Sequence, residues 1–266
     1  MQKENRSAYR KLICIAGLWL GLTSSSFAAP EAACVLGKCG LPILQCVVGK
    51  ECRDWMGCVQ ECGDDMMKCP SVCGFYYQSR KIDKVSQCIF TNNCVELEFE
   101  KFPPYIPSGA ELETLEGVEG IYWFGASHGG DHIFDFSCQR FEFAPTHPGE
   151  HQVHFSVPIT LHEDTRLTSS IGTFSQNPSG SILVKYDNFT GYHENWYVSK
   201  RTQNTITAQV CFRGESSCYD YGTIILTKTP FPLIDTEEMN ELETSLEQSH
   251  ALKFEDFGLS SIADCD

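Results

Sequence analysis

The chain has 266 residues, 15 cysteines and a formal net charge of −15, with 20 Lys and Arg against 35 Asp and Glu. So acidic a surface repels a polyanion and excludes nucleic acid as a partner. The length admits one large domain or two modest ones, so the organisation must be read from the pattern along the chain.

Lys3, Arg6, Arg10 and Lys11 precede an apolar run from Leu12 to Leu22, and small residues follow to Ala28. This order predicts a secretory signal peptide over residues 1–28. Its apolar core is too short for a bilayer-spanning helix. Its removal takes Cys14 and leaves an even number of cysteines. Ten of them lie between Cys34 and Cys94, a density that belongs to oxidising compartments and to small cores held by disulfides.

Residues 29–96 therefore read as a small α-helical, disulfide-rich domain. Cys58 and Cys62 share one helix face, as do Cys69 and Cys73. Two short antiparallel helices would nest them as Cys58–Cys73 and Cys62–Cys69. The same nesting applied to the first block gives Cys34–Cys52 and Cys39–Cys46, with Cys88–Cys94 closing a local loop. A zinc site is the rival reading, but no CxxC pair or neighbouring histidine supports it, and no metal is expected.

Residues 97–117 carry three prolines and a run of glutamates and read as a linker. From Val118 to about Pro230 the chain is mainly β. Eight strands are expected at 120–126, 133–144, 151–160, 165–175, 181–187, 192–200, 204–213 and 218–228. They are separated by turn sequences such as HisProGly at 147–149 and AsnProSerGly at 177–180. Eight meandering antiparallel strands favour a closed up-and-down barrel that holds one small ligand, with a two-sheet sandwich as the alternative. On the second strand Gln139 shares a face with Phe141 and Phe143, which suggests a lined cavity. Residues 231–266 form a C-terminal helix and tail, with Met239, Leu242, Leu246 and Leu252 at helical spacing. Cys265 needs a distant partner, and Cys138 is the unpaired candidate. Cys211 and Cys218 flank a hairpin turn and are placed for a cross-strand disulfide.

The segment from Tyr192 to Lys200 is the most informative for chemistry. Tyr192, Glu194 and Trp196 share a face by the period of two. Glu194 reads either as an interior acid with a raised pKa or as a rim residue in water. Phe212 on the next strand is a candidate for the same space. The loop His128-Gly-Gly-Asp131-His132 is a weak ligand-loop candidate and more often simply solvated.

A cysteine-rich helical block is followed by the opener Gly120-Ile121-Tyr122, then FSCQxxEF at 136–143 and FxQNP at 174–178. YxxNWY at 192–197, Arg213-Gly214 with YDYG at 219–222, and a final helix with a terminal Cys complete the order. This ordered set resembles the violaxanthin de-epoxidase family over almost all of the mature chain. The resemblance implies a lipocalin-type barrel that binds a long carotenoid. It also implies reduction of a xanthophyll epoxide to an alkene at acid pH, with ascorbate as reducing co-substrate and no bound cofactor. It places the acid/base carboxyl on Glu194, where the family carries aspartate, and ligand-lining positions on Gln139, Phe141, Phe174, Tyr192 and Trp196. It also pairs Cys138 with Cys265.

The family's catalytic tyrosine falls on Phe212, which has no hydroxyl to offer. The resemblance therefore leans toward an oxidoreductase of weak or altered activity. A non-catalytic lipocalin carrying a carotenoid or other hydrophobic ligand is the alternative. Eight histidines and the acidic excess add the expectation of pH-dependent membrane association or a homodimer. The compartment implied is the plastid thylakoid lumen, or otherwise a secreted or lumenal location.

Overall fold

A computed structural model describes residues 30–61, 68–92, 94, 101–102, 112–129, 136–187, 193–212, 218–260, 262 and 265. The expected signal peptide lies outside the described residues. The chain divides into two compact units. One comprises residues 1–99 with Ile159–Arg166 and Asn188–Gly191, the other Glu100–Pro158, Leu167–Asp187 and Tyr192–Asp266.

Among the described residues the first unit holds four helices: α1 (Pro30–Val47), α2 (Lys50–Glu61), α3 (Lys68–Tyr76) and α4 (Arg80–Thr91). Its core gathers Val35, Ile82 and Val85 around buried cysteines. Cys34 is bonded to Cys94, Cys39 to Cys88, Cys46 to Cys52 and Cys58 to Cys73. Three expected pairings, Cys34–Cys52, Cys39–Cys46 and Cys88–Cys94, are thus corrected. The reason lies in the unbroken length of α1. Seven residues along a continuous helix separate Cys39 from Cys46 by about 10 Å, beyond the reach of a disulfide, whose Cα atoms lie about 4–7 Å apart. The nesting instead joins α1 to α4 and its C-terminal exit. Cys46 meets Cys52 across the sharp turn at Val48-Gly49. The expected Cys62–Cys69 pair lies outside the described residues.

The second unit is a single antiparallel sheet closed on itself. Its long strands are β2 (Gly120–Gly129), β3 (Arg140–His147), β4 (Glu150–Leu161), β5 (Asp164–Gln176), β6 (Ile182–Tyr186), β7 (His193–Arg201), β8 (Thr205–Phe212) and β9 (Cys218–Thr227). They follow one another in order, and β9 pairs back onto β2 to complete an eight-stranded barrel. Short strands β1 (Lys101–Phe102) and β10 (Gly258–Leu259) add to β9 and β2. Of the strand expected at 133–144, residues 133–135 lie outside the described residues and β3 runs from Arg140. Residues 136–139 form a turn in which Cys138 has φ of +60°, a conformation that ends regular pairing. That turn is tied to the chain's end by the Cys138–Cys265 disulfide.

The segment expected as a linker is partly built into the barrel. Leu115 is buried, Leu112 packs on Tyr197 and Cys211, and the Glu113 backbone N–H donates to Val198 O at 2.9 Å. Cys211 is disulfide-bonded, while the side chain of Cys218, its expected partner, lies outside the described residues.

Helix α5 (Thr236–His250) covers one wall. Its fully buried Leu242 and Leu246 pack on Ala126, Ile225 and Phe257. Asp235 caps it by accepting from the Glu238 N–H at 2.9 Å. Both ends carry a polar tie to the barrel. Near the start, the Glu238 carboxylate accepts from the Thr202 hydroxyl and from Asn204 N and Nδ2, the last two at 2.8 and 2.7 Å. Burial acts to raise the Glu238 pKa, but these bonds outweigh it and hold the group below its usual value. At the other end, His250 Nε2 lies 2.9 Å from Ser199 Oγ, and burial lowers the His250 pKa to about 4.

The sign for His250 follows from linkage. The folded state binds its proton less tightly than the unfolded state, so stability present above about pH 6.5 is lost as the pH falls toward 4. Glu238 acts in the same direction at lower pH, because its folded pKa is depressed. Between pH 7 and 5 His250 should cost at most about 2 kcal/mol. Urea unfolding at the two pH values should show that loss in the natural protein and a smaller one in His250→Gln. Equal pH dependence in both would refute the assignment.

Candidate functional site

The alternating strands turn one face of β7 into the barrel. Register fixes the neighbours: Val184 pairs with Glu194 across β6–β7, Ile182 with Trp196, and Phe212 stands opposite Glu194 on β8. Residues directly opposite in an antiparallel ladder share a face. Phe174 joins this row by pairing with Val184.

Aromatic rings fill the space. The Trp196 and Phe174 rings meet edge to face at 5.1 Å, Trp196 and Phe141 at 6.0 Å, and Phe141 and Phe155 at 5.3 Å. Phe143 extends the set to Phe174 and Tyr122. These edge-to-face contacts are the geometry that ring quadrupoles favour.

Into this apolar interior the chain places a carboxylate. Glu194 is 1 % exposed, so it is an interior acid and not a rim residue. Trp196 Nε1 donates to Glu194 Oε2 at 2.6 Å, and the Tyr186 hydroxyl approaches the same oxygen at 3.3 Å. A buried carboxylate without donors would be untenable at this depth, and Trp196 and Tyr186 are two neutral donors to it. Burial, then the nearby Glu194 charge and the hydrogen bond to it, push the Tyr186 pKa well above the usual phenol value. Tyr186 therefore keeps its proton across the ordinary pH range.

Gln139 is a second polar group in the interior. It is fully buried, and neither Nε2 nor Oε1 has a hydrogen-bond partner among the described residues. Its backbone is fixed by the Phe124 N–H, which donates to Gln139 O at 2.8 Å.

Of the residues expected at the site, Phe141, Phe174, Glu194 and Trp196 come together, and Gln139 lies buried in the turn just before β3. Tyr192, Asp131 and His132 lie outside the described residues, as does the side chain of Phe212. His128 ends β2 beside Phe257, with ring centroids 5.7 Å apart. Among the described residues no cluster of three or more His, Cys, Asp or Glu is arranged to hold a metal ion, and no single helix is long and apolar enough to cross a membrane. Sequence reasoning missed Tyr186. It is two residues along β6 from Val184, hence on the Glu194 face, but only the register of the β6–β7 hairpin reveals this.

The orphaned Gln139 amide predicts a trade between stability and binding. A buried amide without partners costs roughly 1–3 kcal/mol. Gln139→Leu should therefore raise the unfolding free energy of the ligand-free protein by about 1 kcal/mol or more. It should also weaken retention of a polar-ended hydrophobic ligand. Destabilisation measured by urea unfolding would show instead that the amide is bonded in solution.

Comparison with solved structures finds matches of low sequence identity and TM-scores below 0.5. Lobster apocrustacyanin A1 matches at 13% identity and TM-score 0.43, covering 55% of this chain and 78% of that one. A bovine odorant-binding protein variant matches at 12% identity and TM-score 0.39, covering 56% and 97%. The comparison with curated proteins found no match. The disulfide-rich helical unit points to a non-cytosolic, oxidising compartment. The profile of the VDE lipocalin domain matches residues 31–261, spanning both the disulfide-bonded helices and the barrel, and the chain belongs to that violaxanthin de-epoxidase-related lipocalin family.

Proposed function

We propose that the barrel reduces the epoxide of a xanthophyll, using ascorbate as an enediol reductant at acid pH. The observation that carries this reading is the Glu194 carboxyl at 1 % exposure, bonded by Trp196 Nε1 at 2.6 Å among aromatic rings. A carotenoid end ring is apolar except for its epoxide oxygen. Phe141, Phe174 and Trp196 match the hydrocarbon, and Glu194 and Gln139 are the polar groups available to the oxygen.

The chemistry requires a proton at the ring oxygen when the first C–O bond breaks. Protonated Glu194 supplies it. Ascorbate then delivers two electrons and two protons. The second C–O bond breaks, a C=C bond forms, the oxygen leaves as water, and the enediol becomes a diketone. Burial of a carboxyl among apolar groups favours its protonated form, which fits activity in an acidified compartment such as a thylakoid lumen. Acidification also reduces the repulsion of a surface with net charge −15, which supports association with the membrane that holds such a pigment, or with a second copy.

A second reading keeps the binding and drops the reaction. Position 212, opposite Glu194 in register, carries Phe where the family resemblance calls for a tyrosine. A barrel lacking that hydroxyl would serve as a carrier for a carotenoid or another hydrophobic molecule.

Incubation of the oxidised protein at about pH 5 with ascorbate and violaxanthin, followed by pigment chromatography, separates the two. The proposal predicts conversion that depends on ascorbate and falls by about 100-fold or more in Glu194→Gln. Pigment that stays bound and unchanged would overturn the catalytic reading and leave the carrier. Turnover indifferent to Glu194→Gln would move the chemistry away from this carboxyl.

A further inference from the structure

The interior contains a phenol that the family resemblance does not assign. The Tyr186 hydroxyl lies 3.3 Å from Glu194 Oε2, on the oxygen that also accepts from Trp196 Nε1. Its approach is built into the sheet. Lys185 pairs with His193 and Val184 with Glu194, so Tyr186 is a diagonal neighbour of Glu194 on the same face.

The adjacent strand makes room for the ring. Tyr186 pairs with Gly172 on β5. A Cβ at position 172 would meet Tyr186 Cδ1 and Phe174 Cε2 at 3.4 Å, ordinary van der Waals contact, so the tyrosine ring lies directly over the β5 backbone.

We propose that Tyr186 is the positioning phenol of Glu194, doing from β6 what the missing hydroxyl at position 212 cannot. The inference rests on the de-epoxidase reading of this site. When Glu194 gives its proton to the epoxide oxygen and the first C–O bond breaks, a carboxylate is left in an apolar interior. The Tyr186 O–H and Trp196 N–H bonds strengthen as that charge develops, which stabilises the transition state more than the ground state. Tyr186 retains its own proton throughout. The proton lost by Glu194 is replaced from the enediol, whose two electrons and two protons complete the conversion to alkene, water and diketone.

This role differs from proton transfer by tyrosine, and its magnitude is correspondingly smaller. Loss of one donor to a developing carboxylate should raise the midpoint of Glu194 titration by about one pH unit and lower kcat about 10-fold. A merely structural tyrosine would change stability or KM and leave the midpoint in place.

The test uses the full oxidised protein and the isosteric Tyr186→Phe. The carboxylic C=O infrared band of Glu194, identified by its disappearance in Glu194→Gln, is followed against pH without ligand. The alkaline limb of the pH–rate profile, where loss of the Glu194 proton lowers the rate, is then measured with violaxanthin and ascorbate. Expected are an upward-shifted midpoint in both and a lower kcat at nearly constant KM. An unmoved infrared midpoint overturns the pairing whatever the turnover shows. A shifted midpoint in a natural protein that converts no pigment upholds the Tyr186–Glu194 pair and removes the reductase reading. Full turnover by Tyr186→Phe with an unchanged pH profile overturns the inference while the reductase reading stands.

Discussion

The structure depends on the closure of its sheet. Strand β9 must hydrogen-bond to β2 as well as β8, or the aromatic interior would open to water on one side. Closure runs from Trp123 against Thr227 to Gly129 against Gly222, with a shift of register between Phe124 and Ala126. Two glycines make this approach possible. A Cβ at Gly222 would lie 3.0 Å from the Gly129 carbonyl oxygen, and one at Gly125, at the register shift, would strike the Phe231 ring and the Thr227 methyl at 2.8 Å. Contacts that close admit only a hydrogen atom in place of a side chain. The backbone of the closing seam is therefore specified by what is absent from it.

Closure determines which polar groups the interior can hold. A sheet with one wet face would let Glu194 shed its charge into solvent. Inside a closed wall it accepts hydrogen bonds from Trp196 and Tyr186 among aromatic rings. The same enclosure leaves the Gln139 amide without partners among the described residues. Such groups cost stability and are tolerated where they serve a ligand. The wall outside Glu194 is also covered: β7 is buried along both faces from Glu194 to Ser199, with α5 tied to Ser199 and, through an ion pair, to Lys200. Glu194 thus sits on a strand that is buried on both sides.

Much of this was legible in the chain. Strand existence followed from period-two alternation broken by AsnPro, ProGly and similar turns, and the amphipathic spacing of Leu242 and Leu246 marked the covering helix. The motif order pointed to Glu194 and its aromatic neighbours. What could not be read is what depends on register and on distant pairing. Cysteine spacing permits many connectivities, and local nesting failed where α1 continued unbroken through Cys39 and Cys46. The turn at Ser137-Cys138 carries no glycine or proline, so the alternating residues before Arg140 read as strand. Tyr186 was invisible for a related reason: six residues separate Tyr186 from His193, and a loop of that length does not determine which residues oppose each other.

The central claim is that Glu194 meets the oxygen of an epoxide-bearing end ring. A crystal structure of the oxidised protein with bound violaxanthin, at the pH of highest binding, tests it most directly. The account predicts the epoxide oxygen within about 3 Å of a Glu194 carboxyl oxygen, with the ring among Phe141, Phe174 and Trp196. A pigment whose polyene occupies that space, with both epoxides in solvent, would contradict it.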